Sequence, residues 1–227
     1  MTPSRSQELA ANLGAVRERI GAATARANRS VDDVQLIVVT KTFPVSDVHL
    51  LYELGERNFG ENRDQEGAAK FPDLPSDARL HFQGQIQSKK LKSITRWARV
   101  IHSLDEPKHA QILADLGAAQ DVFIQVSLDS SPGRGGVAPD RLLTFAEDCV
   151  SRLRLNLVGL MAVAPLGKEP ASAFARLNEI HGKAKSEFPQ LRYLSAGMSG
   201  DFEAAIEAGA THVRVGSSIL GHRAPAI

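Results

Sequence analysis

The sequence lacks the marks of several protein classes. It has one cysteine, Cys149, in 227 residues, so no internal disulfide can form and nothing points to an oxidising compartment. No apolar run approaches the roughly 20 residues of a membrane-spanning helix. The N-terminus has no signal-peptide apolar core, and Glu8 and Glu18 argue against a transit peptide. Neither sign of charge dominates. The formal net charge is +1, which excludes the basic excess that a general nucleic-acid grip requires. No Walker-type loop and no Gly-x-Ser-x-Gly stretch occurs, and no His/Cys spacing suits a metal, so none is expected. The default is a soluble cytoplasmic protein with neither membrane nor nucleic acid among its partners.

Apolar residues make up 43% of the chain, ample for a real core. Leu9, Leu13, Val16 and Ile20 fall on one stripe and predict a leading helix over residues 4–28. Short apolar runs then alternate with amphipathic stretches. Strands are expected at 36–41, 58–62, 80–84, 100–104, 122–127, 157–162, 193–197 and 212–216. Eight strands alternating with helices over this length predict a single α/β domain, 1–227. It is a (β/α)8 TIM barrel at about 34–221 with an extra N-terminal helix. An open doubly wound sheet is the competing fold. It favours a glycine-rich turn after the first strand, where Thr42-Phe43-Pro44 stands instead.

The run Leu36-Ile37-Val38-Val39-Thr40-Lys41 reads as a buried parallel strand ending in a lysine. Strand C-termini form the active-site face of such a barrel. A half-desolvated amine there has a lowered pKa and can attack a carbonyl. The plain alternative is a strand-end lysine reaching for water. At the far end of the chain, Ser195-Ala196-Gly197-Met198-Ser199-Gly200-Asp201 leads into a helix, and Val215-Gly216-Ser217-Ser218-Ile219-Leu220-Gly221 supplies a second small-residue loop. Loops after strands seven and eight are the usual phosphate cradle of barrels. Arg214 adds a charge near that mouth. Capping by Ser199 or Asp201 and a tight turn at Gly216 explain either loop alone.

The polar cluster Phe59-Gly60-Glu61-Asn62-Arg63-Asp64-Gln65-Glu66 suits a lined pocket or a solvated turn equally. His81 and His102, each inside an apolar strand, read as satisfied core histidines. Lys89, Lys90 and Lys92 read as a solvated helix face. The glycine-rich loop 130–136 is expected on the functional face.

Together these motifs resemble a known family. Val39-Thr40-Lys41-Thr42-Phe43-Pro44, the cluster 59–66, His81-Phe82-Gln83-Gly84-Gln85-Ile86-Gln87, Gly159-Leu160-Met161, 194–199 and Arg214-Val215-Gly216-Ser217 occur in the order found in pyridoxal phosphate homeostasis proteins. That family is similar to the barrel domain of fold-type III enzymes such as alanine racemase. The resemblance implies pyridoxal 5'-phosphate (PLP) as cofactor, held as a Schiff base on Lys41. It places Ser199, Gly200, Gly216 and Ser217 at the phosphate, Met198 among the cofactor-binding residues, Arg214 at the pyridine nitrogen, and Asn62 and His81 near the ring. Two stretches depart from the family's usual pattern: Lys89-Lys90 after Gln87-Ser88, and Pro132-Gly133-Arg134-Gly135-Gly136. It also implies storage, buffering or delivery of PLP by a monomer, with PLP-dependent apo-enzymes as recipients.

A racemase needs two bases, one on each face of the substrate carbon. In alanine racemase the second is a tyrosine of an additional domain. Here the tyrosines are Tyr52 and Tyr193, in predicted helix and strand, and the chain stops soon after strand eight. The expectation is a carrier without strong catalysis. A low-activity PLP-dependent racemase or lyase is the alternative, and a phosphosugar enzyme without PLP a third.

Overall fold

The computed structural model describes residues 3–129 and 135–221. Most of the glycine-rich loop, Arg134 included, therefore lies outside the described residues. Eight parallel strands close into a barrel in sequence order. They are β1 (Gln35–Val39), β2 (Asn58–Glu61), β3 (Arg79–Phe82), β4 (Val100–Leu104), β5 (Asp121–Gln125), β6 (Leu157–Met161), β7 (Tyr193–Ser195) and β8 (His212–Val215). Val38 pairs with Phe59 on one side and Val215 on the other, which closes the ring. Most strands stop one or two residues short of the apolar-pattern boundaries. Lys41, Asn62 and Gly84 therefore stand in the rim loops rather than in the sheet.

Helices follow the strands: α2 (Val45–Glu53), α3 (Asp64–Lys70), α4 (Leu91–Trp97), α5 (Pro107–Asp115), α6 (Leu142–Glu147), α7 (Pro170–Glu187), α8 (Phe202–Glu207) and α9 (Ser217–Leu220). No apolar stripe of helical spacing marks α3 or α9 in the sequence. The sequence of α3, Asp-Gln-Glu-Gly-Ala-Ala-Lys, has almost no apolar stripe. It is held by packing: an added Cβ on Gly67 would lie 2.5 Å from the Trp97 ring, and Trp97 Nε1 donates to Asp64 Oδ1 at 3.0 Å.

The leading helix α1 (Arg5–Arg26) starts in a capping box between Ser4 and Gln7 and buries the whole predicted stripe. It fastens the end of the chain. Arg19 pairs with Glu203 and Arg26 with Glu207 on α8, while Asn12 and Arg5 donate to the carbonyls of Ile219 and Leu220 on α9.

Two apolar cores result. The larger lies between barrel and helices and includes Phe59, Leu80, Phe82, Ile101, Ile124 and Leu160. The smaller comprises Val100, Phe123 and Met161. Barrel interiors are usually filled by branched aliphatic layers. Here the buried residues also include His81, His102, Ser195, His212 and Arg214. His102 on β4 reaches Ser195 on β7 at 3.0 Å. These strands are not neighbours, so the contact crosses the barrel.

Candidate functional site

β1 ends at Val39, Thr40 is buried, and Lys41 is exposed. This corrects the expected half-desolvated amine: the strand stops two residues before the lysine and the chain turns outward. Thr42 makes that turn with φ +69°, a left-handed conformation that a β-branched residue rarely adopts. Its N–H donates to Glu66 Oε2 at 2.6 Å, and the Phe43 N–H donates back to the Thr40 carbonyl. Beneath the turn, Lys70 Nζ donates to the Thr40 carbonyl at 2.8 Å and to Glu61 Oε1 at 2.6 Å. The Thr40 hydroxyl donates to the same oxygen at 2.6 Å. Desolvation pushes the Glu61 pKa up, opposed by its bonds to Lys70 and Thr40. The polar cluster 59–66 is thus in part a buried clamp that fixes the backbone carrying Lys41.

Across the β1–β8 seam stand the two small-residue loops. Gly197 has φ +90°, and an added Cβ would lie 2.7 Å from Phe202 Cα, so only glycine makes this bend. The Gly216 N–H donates to Ser199 Oγ at 3.2 Å, and Ser218 Oγ lies 3.5 Å from the Ser199 carbonyl. The loops after β7 and β8 are therefore joined in one cradle. It rests on β1: an added Cβ on Gly216 would meet the Val39 carbonyl at 3.1 Å. Lys41 and Ser217 leave adjacent strand ends, and Ser217 opens α9, whose first amides have no carbonyl partner within the helix. Met198 and Gly200, exposed in the β7 loop, complete the rim. The Met198 amide is already donated to Asp201 Oδ1 at 2.6 Å.

Arg214 lies below the cradle and is buried, 4% exposed. Its Nη1 donates to Ser195 Oγ at 2.7 Å and its Nη2 to the Ala162 carbonyl at 3.0 Å. Burial lowers its pKa to about 10. Among the described residues no carboxylate forms an ion pair with it. A guanidinium has five N–H donors, so Arg214 keeps donors for a further acceptor.

His81 is engaged at both nitrogens, with His102 Nε2 at 2.9 Å and Asn58 Oδ1 at 3.2 Å. It also lines a 590 Å³ cavity together with Arg29, Arg79, Tyr193 and His212, residues at or before the strand N-termini. Both histidines are the satisfied core residues that their apolar strands suggest, and the structure does not bring a free group of His81 to the rim.

Asn62 is half-buried, and its Oδ1 is a buried acceptor with no partner. The buried Nε2 of Gln83 has none either. Gly84 packs so tightly on the Asn62 carbonyl that an added Cβ would lie 1.9 Å from it. Buried polar groups seldom go unpaired, so these two atoms on the loops after β2 and β3 fit a site that receives a polar ring. Gln83 and Ser195 were missed as individual residues, although both stand inside the motifs quoted above. The site's donors are an amine, a hydroxyl-lined anion cradle and a buried cation with spare N–H groups. They suit a phosphorylated pyridine aldehyde.

Comparison with known proteins agrees. Residues 11–224 match the alanine racemase N-terminal domain family. A pyridoxal phosphate homeostasis protein of Corynebacterium glutamicum is 43% identical over 220 residues, covering 92% of this chain and 99% of the relative. The chain belongs to the pyridoxal phosphate homeostasis protein family. The family member of Escherichia coli K12 is 35% identical over 234 residues, 95% of this chain and 97% of its own. PipY of Synechococcus elongatus, solved with PLP bound, is 32% identical with a TM-score of 0.77 over 91% of this chain and 100% of its own. Alanine racemase from Corynebacterium glutamicum is 17% identical with a TM-score of 0.66, covering 91% of this chain and 60% of the racemase, and shares the fold. Among the described residues no helix is long and apolar enough to cross a membrane.

Proposed function

We propose that this protein binds PLP covalently through Lys41 and stores, buffers or delivers it in the cytoplasm, without turning over a substrate at a significant rate. One observation carries the reading. The lysine two residues beyond β1 stands across one strand seam from a two-loop anion cradle, with a buried arginine beneath. The PLP-bound structure of a 32% identical relative supports it.

Ser199 and Ser217 offer hydroxyls, and Gly200 and Ser217 offer backbone amides, to the phosphate, while Gly216, its N–H donated to Ser199 Oγ, joins the two loops around it. Met198 shapes the rim of that loop. Arg214 faces the pyridine nitrogen and keeps it unprotonated, because a like charge disfavours a pyridinium. Asn62 lies beside the ring with its unpaired Oδ1. His81 belongs to the layer beneath, reaching the ring's surroundings only through His102, Ser195 and Arg214. When bound, PLP supplies an aldehyde for the lysine and a ring that withdraws electrons. An unprotonated ring withdraws them weakly.

Among the described residues neither tyrosine stands at the rim as a second base. Tyr52 Oη donates to Asp77 at 2.6 Å on the outer layer, and Tyr193 stands at the start of β7, the end of the strand remote from the rim. A carrier acting as a monomer, with PLP-dependent apo-enzymes as recipients, fits this better than a low-activity racemase or lyase. The test is a PLP titration followed by absorbance, with Lys41→Ala alongside, and a turnover panel of amino acids. Lys41-dependent visible absorbance with no turnover supports a carrier. Turnover at enzyme-like rates supports the alternative, and no Lys41-dependent band rejects both.

A further inference from the structure

Four hydrogen bonds run in series through the barrel interior. Arg214 Nη1 meets Ser195 Oγ at 2.7 Å, Ser195 Oγ meets His102 Nδ1 at 3.0 Å, His102 Nε2 meets His81 Nδ1 at 2.9 Å, and His81 Nε2 meets Asn58 Oδ1 at 3.2 Å. The two ends fix the direction. A guanidinium can only donate, and an amide oxygen can only accept. His81 must therefore carry its proton on Nε2 to serve Asn58, which leaves Nδ1 as an acceptor. His102 must then donate from Nε2 and accept at Nδ1. Ser195 must donate its hydroxyl proton to His102 and accept from Arg214. Four links are filled by four protons, one each from Arg214, Ser195, His102 and His81, with both imidazoles neutral. An added proton would set two donors against each other. Burial favours the same state, pushing both histidine pKa values well below the ordinary range.

We infer that His102, backed by His81 and Asn58, is a positioning residue for Arg214. By accepting the Ser195 hydroxyl's hydrogen bond at Nδ1, it leaves the Ser195 oxygen facing the guanidinium as an acceptor. With the Ala162 carbonyl on the other nitrogen, the plane of Arg214 is set beneath the cradle before any ligand arrives. This rests on the reading that Arg214 faces the PLP ring. It extends the site four residues deeper, to the floor of the barrel, where His81 borders the 590 Å³ cavity.

The test has two parts. Proton–nitrogen correlation NMR on the cofactor-free protein at neutral pH should show both His81 and His102 as neutral Nε2–H tautomers. An Nδ1–H or doubly protonated form of either ring overturns the relay whatever the protein binds. PLP affinity and the absorption band are then measured in Ser195→Ala, His102→Asn and His102→Phe. A hydrogen bond to a charged group is strong enough that Ser195→Ala should weaken PLP binding about tenfold. His102 stacks on Phe123 with centroids 4.5 Å apart and planes 7° apart, so phenylalanine preserves the packing and removes the acceptor. Asparagine leaves a gap but returns an acceptor oxygen near the Nδ1 position. Positioning predicts that His102→Asn keeps the affinity and band that His102→Phe loses. The reverse order makes His102 a packing residue and overturns the role. A wild-type protein that binds no PLP rejects the functional reading and the positioning role with it, while the tautomers still decide whether the relay exists.

Discussion

Acid should loosen this barrel from the inside, and His212 sets the measurable scale. It is 8% exposed and sits edge-on to Phe123 at 5.3 Å and Tyr193 at 5.1 Å. Burial, then the charges of Arg214 and Arg79, lower its pKa to about 4, against about 6.5 in an unfolded chain. Between those values the unfolded state binds the proton that the folded state refuses. Stability is therefore fully present above about pH 6.5 and is lost as pH falls toward 4. From pH 7 to pH 5 this one residue removes about 2 kcal/mol, on the 1.36 kcal/mol per pKa unit of proton linkage. That is a sizeable part of a net stability of roughly 5–15 kcal/mol. His81 and His102 shift in the same direction and steepen the loss, whereas the raised pKa values of Glu61 and Asp105 oppose it. The single contribution is isolated by difference. His212→Asn keeps a polar group for Thr211, which meets His212 Nδ1 at 2.8 Å, but cannot titrate. Urea unfolding of both proteins at steps from pH 7 to 5 should give a wild-type slope steeper by about 1 kcal/mol per pH unit between pH 5 and 6. Parallel curves would refute the reasoning.

The other consequences are more local. Lys41→Ala removes an exposed side chain and should change cofactor-free stability by no more than about 0.5 kcal/mol, read by chemical denaturation; a large loss would make Lys41 a structural residue. Lys70→Met leaves Glu61 buried without its cation and should cost about 3–5 kcal/mol, much of it recovered in Lys70→Met/Glu61→Leu. A single variant within 1 kcal/mol of wild type would show that the pair does not hold the β1 end. Gly84→Ala forces a Cβ onto the Asn62 carbonyl and should cost at least about 3 kcal/mol and weaken PLP binding; near-normal melting and affinity would show that the rim gives way freely.

The barrel was legible because its strands are short β-branched runs, such as Leu36-Ile37-Val38-Val39, separated by apolar stripes of helical spacing. Where the stripe is missing the pattern is blind. The helix α3 forms because Gly67 and Asp64 fit against Trp97, a contact made 30 residues later in the chain. The cradle was legible from small residues in the loops after strands seven and eight, since close backbone approach needs glycine and serine. Lys41 follows the C-terminal end of β1 by two residues, and its exposure is not legible in the sequence, because the turn at Thr42 depends on Glu66 from another element. The interior relay could not be read at all. A histidine in an apolar strand looks the same whether its partner is a peptide carbonyl or a serine 93 positions away.

In the proposed function one amine, Lys41, captures PLP at the cradle of Ser199, Gly216 and Ser217. Incubation with PLP, reduction with borohydride and peptide mapping by mass spectrometry tests it most directly. A single phosphopyridoxyl adduct is expected on the peptide containing Lys41, lost when excess inorganic phosphate occupies the cradle. An adduct spread over surface lysines, or concentrated on another lysine, would contradict it.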